Sequence, residues 1–174
     1  MSKDSEVTFP KAEYVFSETE LNFWMQPNHP LTNTGWGAVV TENNKTFPVI
    51  KERIRTIKNG EDVVTGIRSV ALPGHTPGQI GLQITSGSET LITSADAVNN
   101  QIVSFEQPDW GVGYDLDIQQ GVQTRRNLLD RAATDKVLVS SYHLPVPGLG
   151  RVARAGNGYR WVPVDFQWQL NLPT

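Results

Sequence analysis

The sequence contains no cysteine, so disulfide bridges, thiolate metal sites and a cysteine nucleophile are excluded at the outset. It contains three histidines, His29, His75 and His143, and any imidazole chemistry must run through those three. No stretch approaches the ~20 consecutive apolar residues that a membrane-spanning helix needs. The leading residues, MSKDSEVTFPKAEYVF, lack the apolar centre of a secretion signal, so a cytoplasmic location is expected. A net charge of −3 and a pI of about 5.6, without any block of Lys and Arg, give no electrostatic reason to expect nucleic acid or a membrane as partner. A G-x-S-x-G nucleophile elbow is also missing.

What is present is the composition of an ordinary folded domain. Hydrophobic residues make up 38% and charged residues 19% of 174, enough apolar surface for one core and too little charge for a disordered chain. No Pro/Gly/Ser-rich linker divides it, so residues 1–174 are read as a single domain.

The residue pattern predicts a short strand over AEYVF (12–16), then a capping box in SETE, with Ser17 as cap and Glu20 answering it, and a short helix through LNFWMQ. LTNTGWGAVVTENNK reads as loop. TFPVIKERIRTIKNG reads as a helix with Pro48 in its first turn, Ile50, Ile54 and Ile57 on one face, and Gly60 as the stop. DVVTGIRSVAL and the pair QIGLQIT and TLITSAD, joined by SGSE, read as strands, the pair as a hairpin. QIVSFEQPDWGVGYD is irregular. LDIQQGVQTRRNLLDRAATD is an amphipathic helix with Ile118, Val122, Leu128, Leu129 and Ala132 toward a core. KVLVSSYH is a buried strand, and RVARAGNGYRWVPV a closing hairpin around AGNG. Strand, helix, several strands, helix, strand and hairpin predict an α/β or α+β fold.

Three polar residues fall where predicted strands end: His75 in PGHTPG, Asp96 in TSADAVN and His143 in SSYHLPVPG. Two imidazoles and a carboxylate suit zinc and similar divalent ions. The gaps, 96 − 75 = 21 and 143 − 96 = 47, each leave room for a supersecondary unit, so the three can converge at one sheet edge. The residues alone also admit plainer roles: His75 as a residue of a Pro/Gly turn, Asp96 as a turn cap, His143 as a histidine satisfied by backbone. His29, in PNHP, reads as a surface loop residue. Asp115 and Asp117 read as carboxylates favoured at a helix start. Trp110, Tyr114 and Trp161 either line an apolar pocket or pack in the core.

Taken in order, GEDVVTGIRSVALPGHTPGQIGLQI, TLITSADAVNN, TRRNLLDRAATDKVLVSSYHLPVPGLGRV and GYRWVP resemble the metallo-β-lactamase superfamily, in its lactonase-like and organophosphate-hydrolase-like branch. The resemblance is strongest over 60–165 and thinner over 9–25. It implies a partial αβ/βα sandwich, mostly the second αβ half. It further implies a zinc-dependent hydrolase that cleaves an ester, lactone or phosphoester of a small-molecule substrate with a metal-bound hydroxide. By the same resemblance His75 is a ligand of one metal, Asp96 bridges two, and His143 is a ligand of the second. The family's H-x-H-x-D-H run is absent, and three histidines leave nowhere for it. That leaves two ligands per metal where a catalytic zinc site has three. The expectation is therefore a truncated domain with reduced or no activity alone, associating with itself or with a complementing N-terminal half. The alternative is a non-catalytic fragment that serves as an interaction module.

Overall fold

The structure, a computed structural model, describes residues 7–165. The first strand, β1 (Tyr14–Ser17), runs directly into helix α1 (Glu18–Trp24). Ser17 caps this helix as its sequence predicts, its Oγ accepting from the Glu20 amide at 3.0 Å. The other half of the capping box is put to a different use. The Glu20 carboxylate accepts from the Trp24 indole at 2.7 Å and from the Gly78 amide at 2.9 Å. The Ser17 hydroxyl donates to the Gly78 carbonyl at 2.6 Å. A Cβ at Gly78 would stand 2.1 Å from the Glu20 nitrogen, so only glycine lets the loop after His75 approach this helix start.

Between 31 and 60 the structure corrects the sequence reading. The segment read as loop forms most of helix α2 (Gly37–Ile50), with Pro48 in its last turn rather than its first. The expected helix over the following residues is instead a single 3₁₀ turn, Lys51–Arg53, and strand β2 (Ile54–Ile57). Ile50, Ile54 and Ile57 do not share a helical face. Ile50 ends the buried stripe Val40, Phe47, Ile50 of α2, while Ile54 and Ile57 belong to a β-branched strand pairing in parallel with β1, Tyr14 opposite Ile54. Helix propensity lost to burial: α1, α2 and this two-stranded sheet enclose a small core of Leu21, Trp24, Val40, Phe47 and Ile50. His29 lies in this region too. It is 4% exposed rather than a surface residue, stacked on Trp24 with ring centroids 5.2 Å apart, and its Nδ1 accepts from the Leu31 amide.

The larger sheet holds β3 (Asp62–Val64), β4 (Ile67–Ala71), β5 (Ile80–Ser86), β6 (Glu89–Thr93), β7 (Leu138–Ser140), β8 (Leu149–Ala155) and β9 (Gly158–Pro163), side by side in chain order. Both predicted hairpins, β5–β6 and β8–β9, form. Every neighbouring pair is antiparallel except β6–β7. A parallel pair requires a crossover, and here it contains the short helix α3 (Val103–Glu106) and the long helix α4 (Ile118–Asp135).

Asp117 caps α4, accepting from the Gln120 amide at 2.9 Å. The buried face of α4 differs from the expected one. Leu128, Leu129 and Ala132 enter the core with Phe105, Ile92 and Val139, but Ile118 is exposed and Val122 only partly covered. In the first half of the helix the covered positions are Gly121, Thr124 and Arg125. That half rests on loop backbone rather than on the sheet, so hydrogen-bonding and small residues replace apolar ones. No described helix is long and apolar enough to cross a membrane.

Candidate metal centre

Sheet direction decides where the three candidate donors go. β4 and β6 are each antiparallel to β5, and β6 is parallel to β7, so β4, β6 and β7 all point the same way. His75 follows β4, Asp96 follows β6 and His143 follows β7. The β6–β7 register pairs Thr93 with Ser140, and Asp96 and His143 each lie three residues beyond that pair. The carboxyl ends of strands are where α/β sheets gather their functional side chains, and the three meet at one such end.

His143 Nε2 donates to Asp96 Oδ1 at 2.8 Å, and His75 Nε2 stands 4.0 Å from Asp96 Oδ2. Tyr142 also reaches Asp96, its hydroxyl donating to Oδ2 at 2.5 Å. The three open onto a cleft of about 910 Å³, lined besides by Trp36, Asn99 and Tyr114. Trp36 lies against the His75 ring, centroids 5.2 Å apart. Tyr114 is thus a cleft residue, whereas Trp161 packs on Phe105 in the core. Neither Ser140 nor Ser141 is a nucleophile candidate: Ser140 is a strand residue and the buried Ser141 donates to the Val98 carbonyl.

Behind His75 stands a residue that the sequence reading placed only at a helix start. Asp115 is buried, its side chain 3% exposed, and its Oδ1 lies 3.2 Å from His75 Nδ1. A carboxylate accepts, so Nδ1 carries a proton, and when the ring is neutral Nε2 is the nitrogen left with a lone pair, on the side that faces Asp96. The loop itself is fastened to the start of α4: Asp117 donates to the Gly74 carbonyl, Leu116 to the His75 carbonyl, and the Thr124 hydroxyl to the Pro73 carbonyl. Gly74, at φ +133°, is needed there, since a Cβ would meet the Gly121 backbone at 2.4 Å.

The electrostatics follow from these contacts. The hydrogen bond to Asp115 raises the His75 pKa above the ordinary imidazole value, burial opposes it, and the Asp96 charge adds to the rise. Burial pushes the Asp96 carboxyl up, but hydrogen bonds from Tyr142 and His143 outweigh it, and the carboxyl ends below its usual range. Burial and the neighbouring Asp96 charge both push the Tyr142 phenol up, so it remains a donor.

The donor set fits one divalent ion in its chemistry. Two imidazole nitrogens and a carboxylate are the count of protein ligands at a catalytic zinc site. His75 is also held by its second nitrogen, as a ligating imidazole requires. Among the described residues no group of three or more such side chains is already arranged to hold an ion. In the structure His143 instead spends its Nε2 proton on Asp96, and binding an ion there would release that proton. Among the described residues, two ions would share these three donors, two to each ion.

No protein-family model and no curated protein sequence matches the chain. Solved structures do. The hydrolase AbOPH of the beta-lactamase superfamily matches at 28% identity with a TM-score of 0.87, over 95% of this chain and 60% of its own. The dizinc quorum-quenching lactonase AidC, solved in complex with a product, matches at 26% identity with a TM-score of 0.86, over 95% of this chain and 59% of its own. The likeness therefore takes in the first 60 residues as well as the stretch in which the motifs lie. Over about three fifths of the length of these relatives, the chain is built on the fold of the metallo-β-lactamase superfamily hydrolases.

Proposed function

We propose that the chain carries the metal site of a hydrolase acting on an ester, lactone or phosphoester, with His75, Asp96 and His143 as ligands of one zinc-like ion. The observation that supports this reading is the convergence of two imidazole nitrogens on one carboxylate, from three strands that point the same way, at the mouth of a substrate-sized cleft. An ion bound there supplies a Lewis acid for a carbonyl or phosphoryl oxygen and acidifies water. The chain's own residues do the rest. Asp115 sets the direction of His75, Tyr142 holds Asp96 through its second oxygen, and Trp36 and Tyr114 wall the cleft. The relatives' names support the reaction class: one is a lactonase with two zinc ions, the other a hydrolase.

Hydrolysis of an aryl ester, a γ-lactone and an aryl phosphotriester, followed with and without added zinc, tests the proposal. Zinc-dependent turnover of at least one substrate, slow because the chain carries only part of its relatives' length and abolished in His143→Ala, is expected. Turnover indifferent to chelation, or unchanged in His143→Ala, would contradict it.

A second reading is an interaction module, and one feature favours it. Among the described residues β1 and β2 form a sheet of two strands, beside a groove of about 590 Å³ flanked by Phe16, Val39, Phe47 and Ile50. Isolated two-stranded sheets are marginal. On this reading the face is covered by a second copy of the chain or by a complementing half, and the metal donors are inert.

A further inference from the structure

Arg125 lies fully buried in α4, 1% exposed, and its partners are spread over three separate segments. Nε donates to the Ala97 carbonyl at 3.0 Å, and Nη1 donates to the carbonyls of Pro108 at 2.9 Å and Trp110 at 2.7 Å. Nη2 stands 3.9 Å from Asp115 Oδ2. Burial lowers the guanidinium pKa, and the charges of Asp115 and Asp109 oppose that. A buried arginine is retained only where its donors are used; Pro108 and Trp110 lie on the crossover, and the other two partners lead to the site. Ala97 is the residue next to Asp96. Asp115 is the residue that holds His75. Gly121, one turn earlier on α4, leaves the space: a Cβ there would come within 2.4 Å of Asp115 Oδ2.

We infer that Arg125 is the positioning residue of this centre, one guanidinium fixing the Asp96 loop through the Ala97 carbonyl and the His75 ring through Asp115. A lysine cannot replace it, since a single ammonium does not span a fork of three carbonyls and a carboxylate. Arg126, next in sequence, has a different role on the surface, where it pairs with Asp109. The effect of Arg125 on metal affinity rests on the reading above; its effect on the placement of His75 does not.

The test compares Arg125→Met, Arg125→Lys and a control, Leu129→Ala, which opens the same helix face one turn away without touching the site. Ring-nitrogen chemical shifts of His75 in the metal-free proteins report its tautomer. The wild type and Leu129→Ala are expected to show the Nδ1-protonated form, and the two Arg125 variants a mixture. Cobalt(II) titration, read by its visible absorption, is expected to show affinity roughly 10–100-fold weaker in both Arg125 variants and unchanged in Leu129→Ala. Arg125→Lys retains a charge and carries the comparison if Arg125→Met does not fold. Wild-type tautomer and affinity in the Arg125 variants would overturn the inference, as would equal losses in Leu129→Ala. If the wild type takes up no cobalt, the metal reading falls and the tautomer alone decides the role of Arg125.

Discussion

Replacing Asp96 by Asn is expected to weaken zinc binding by more than the ~10–100-fold that loss of a hydrogen-bond partner behind a ligand costs, while leaving the protein folded. Asp96 is the one donor that both imidazoles face, His143 at 2.8 Å and His75 at 4.0 Å. It is also the only anion among the three, so the substitution removes the charge attraction as well as a ligand. The fold should tolerate the change. The carboxylate is partly open to solvent, its side chain 25% exposed, and the Asn oxygen can still accept from the Tyr142 hydroxyl. Isothermal titration with zinc measures the affinity, and a thermal melt within a few degrees of the wild type shows that the loss is local. Unchanged affinity would mean that any bound zinc sits elsewhere.

Phe105→Ala is expected to cost about 3–5 kcal/mol of stability. Phe105 is wholly buried and joins the two sides of the main core, set against Trp161 of β9 with ring centroids 5.3 Å apart, in the same cluster as Leu129 and Val139. The hairpin β8–β9 closes directly over α3, where a Cβ at Gly158 would lie 2.8 Å from the Phe105 carbonyl, so the backbone has little freedom to collapse into the space left. For a domain of this size the melting temperature should fall by roughly 6–20 °C. A fall of under 2 °C in a calorimetric melt would show that α3 does not pin the hairpin.

The two halves of the chain differed in how much their residues disclosed. From Asp62 onward, strand alternation and turn glycines were regular enough to predict the hairpins β5–β6 and β8–β9, and the strand ends located His75, Asp96 and His143, but DVVTGIRSVAL, read as one strand, is the antiparallel pair β3–β4 turning at Gly66. Between 31 and 60 they misled, because Ile50, Ile54 and Ile57 happen to be spaced like a helical face while the chain there changes from helix to strand at Lys51. The stripe Val40, Phe47, Ile50 was the usable helical signal, and Asn and Gly nearby masked it. Asp115 was hidden for another reason: a carboxylate just before a helix normally serves the helix, as Asp117 does two residues later. Its contact with His75 spans 40 residues and depends on how the crossover folds back. Arg125 was legible in principle. It shares a helical face with Leu128, Leu129 and Ala132, and a charge on an apolar face implies buried partners.

If His75, Asp96 and His143 of this chain hold a divalent ion, its metal content shows it most directly. Protein stripped of metal, equilibrated with zinc at micromolar free concentration and separated from excess, is predicted to retain close to one equivalent by elemental analysis, and the His75→Ala, His143→Ala double variant close to none. Retention of less than about a tenth of an equivalent by the wild type, or equal retention by both proteins, would contradict the account.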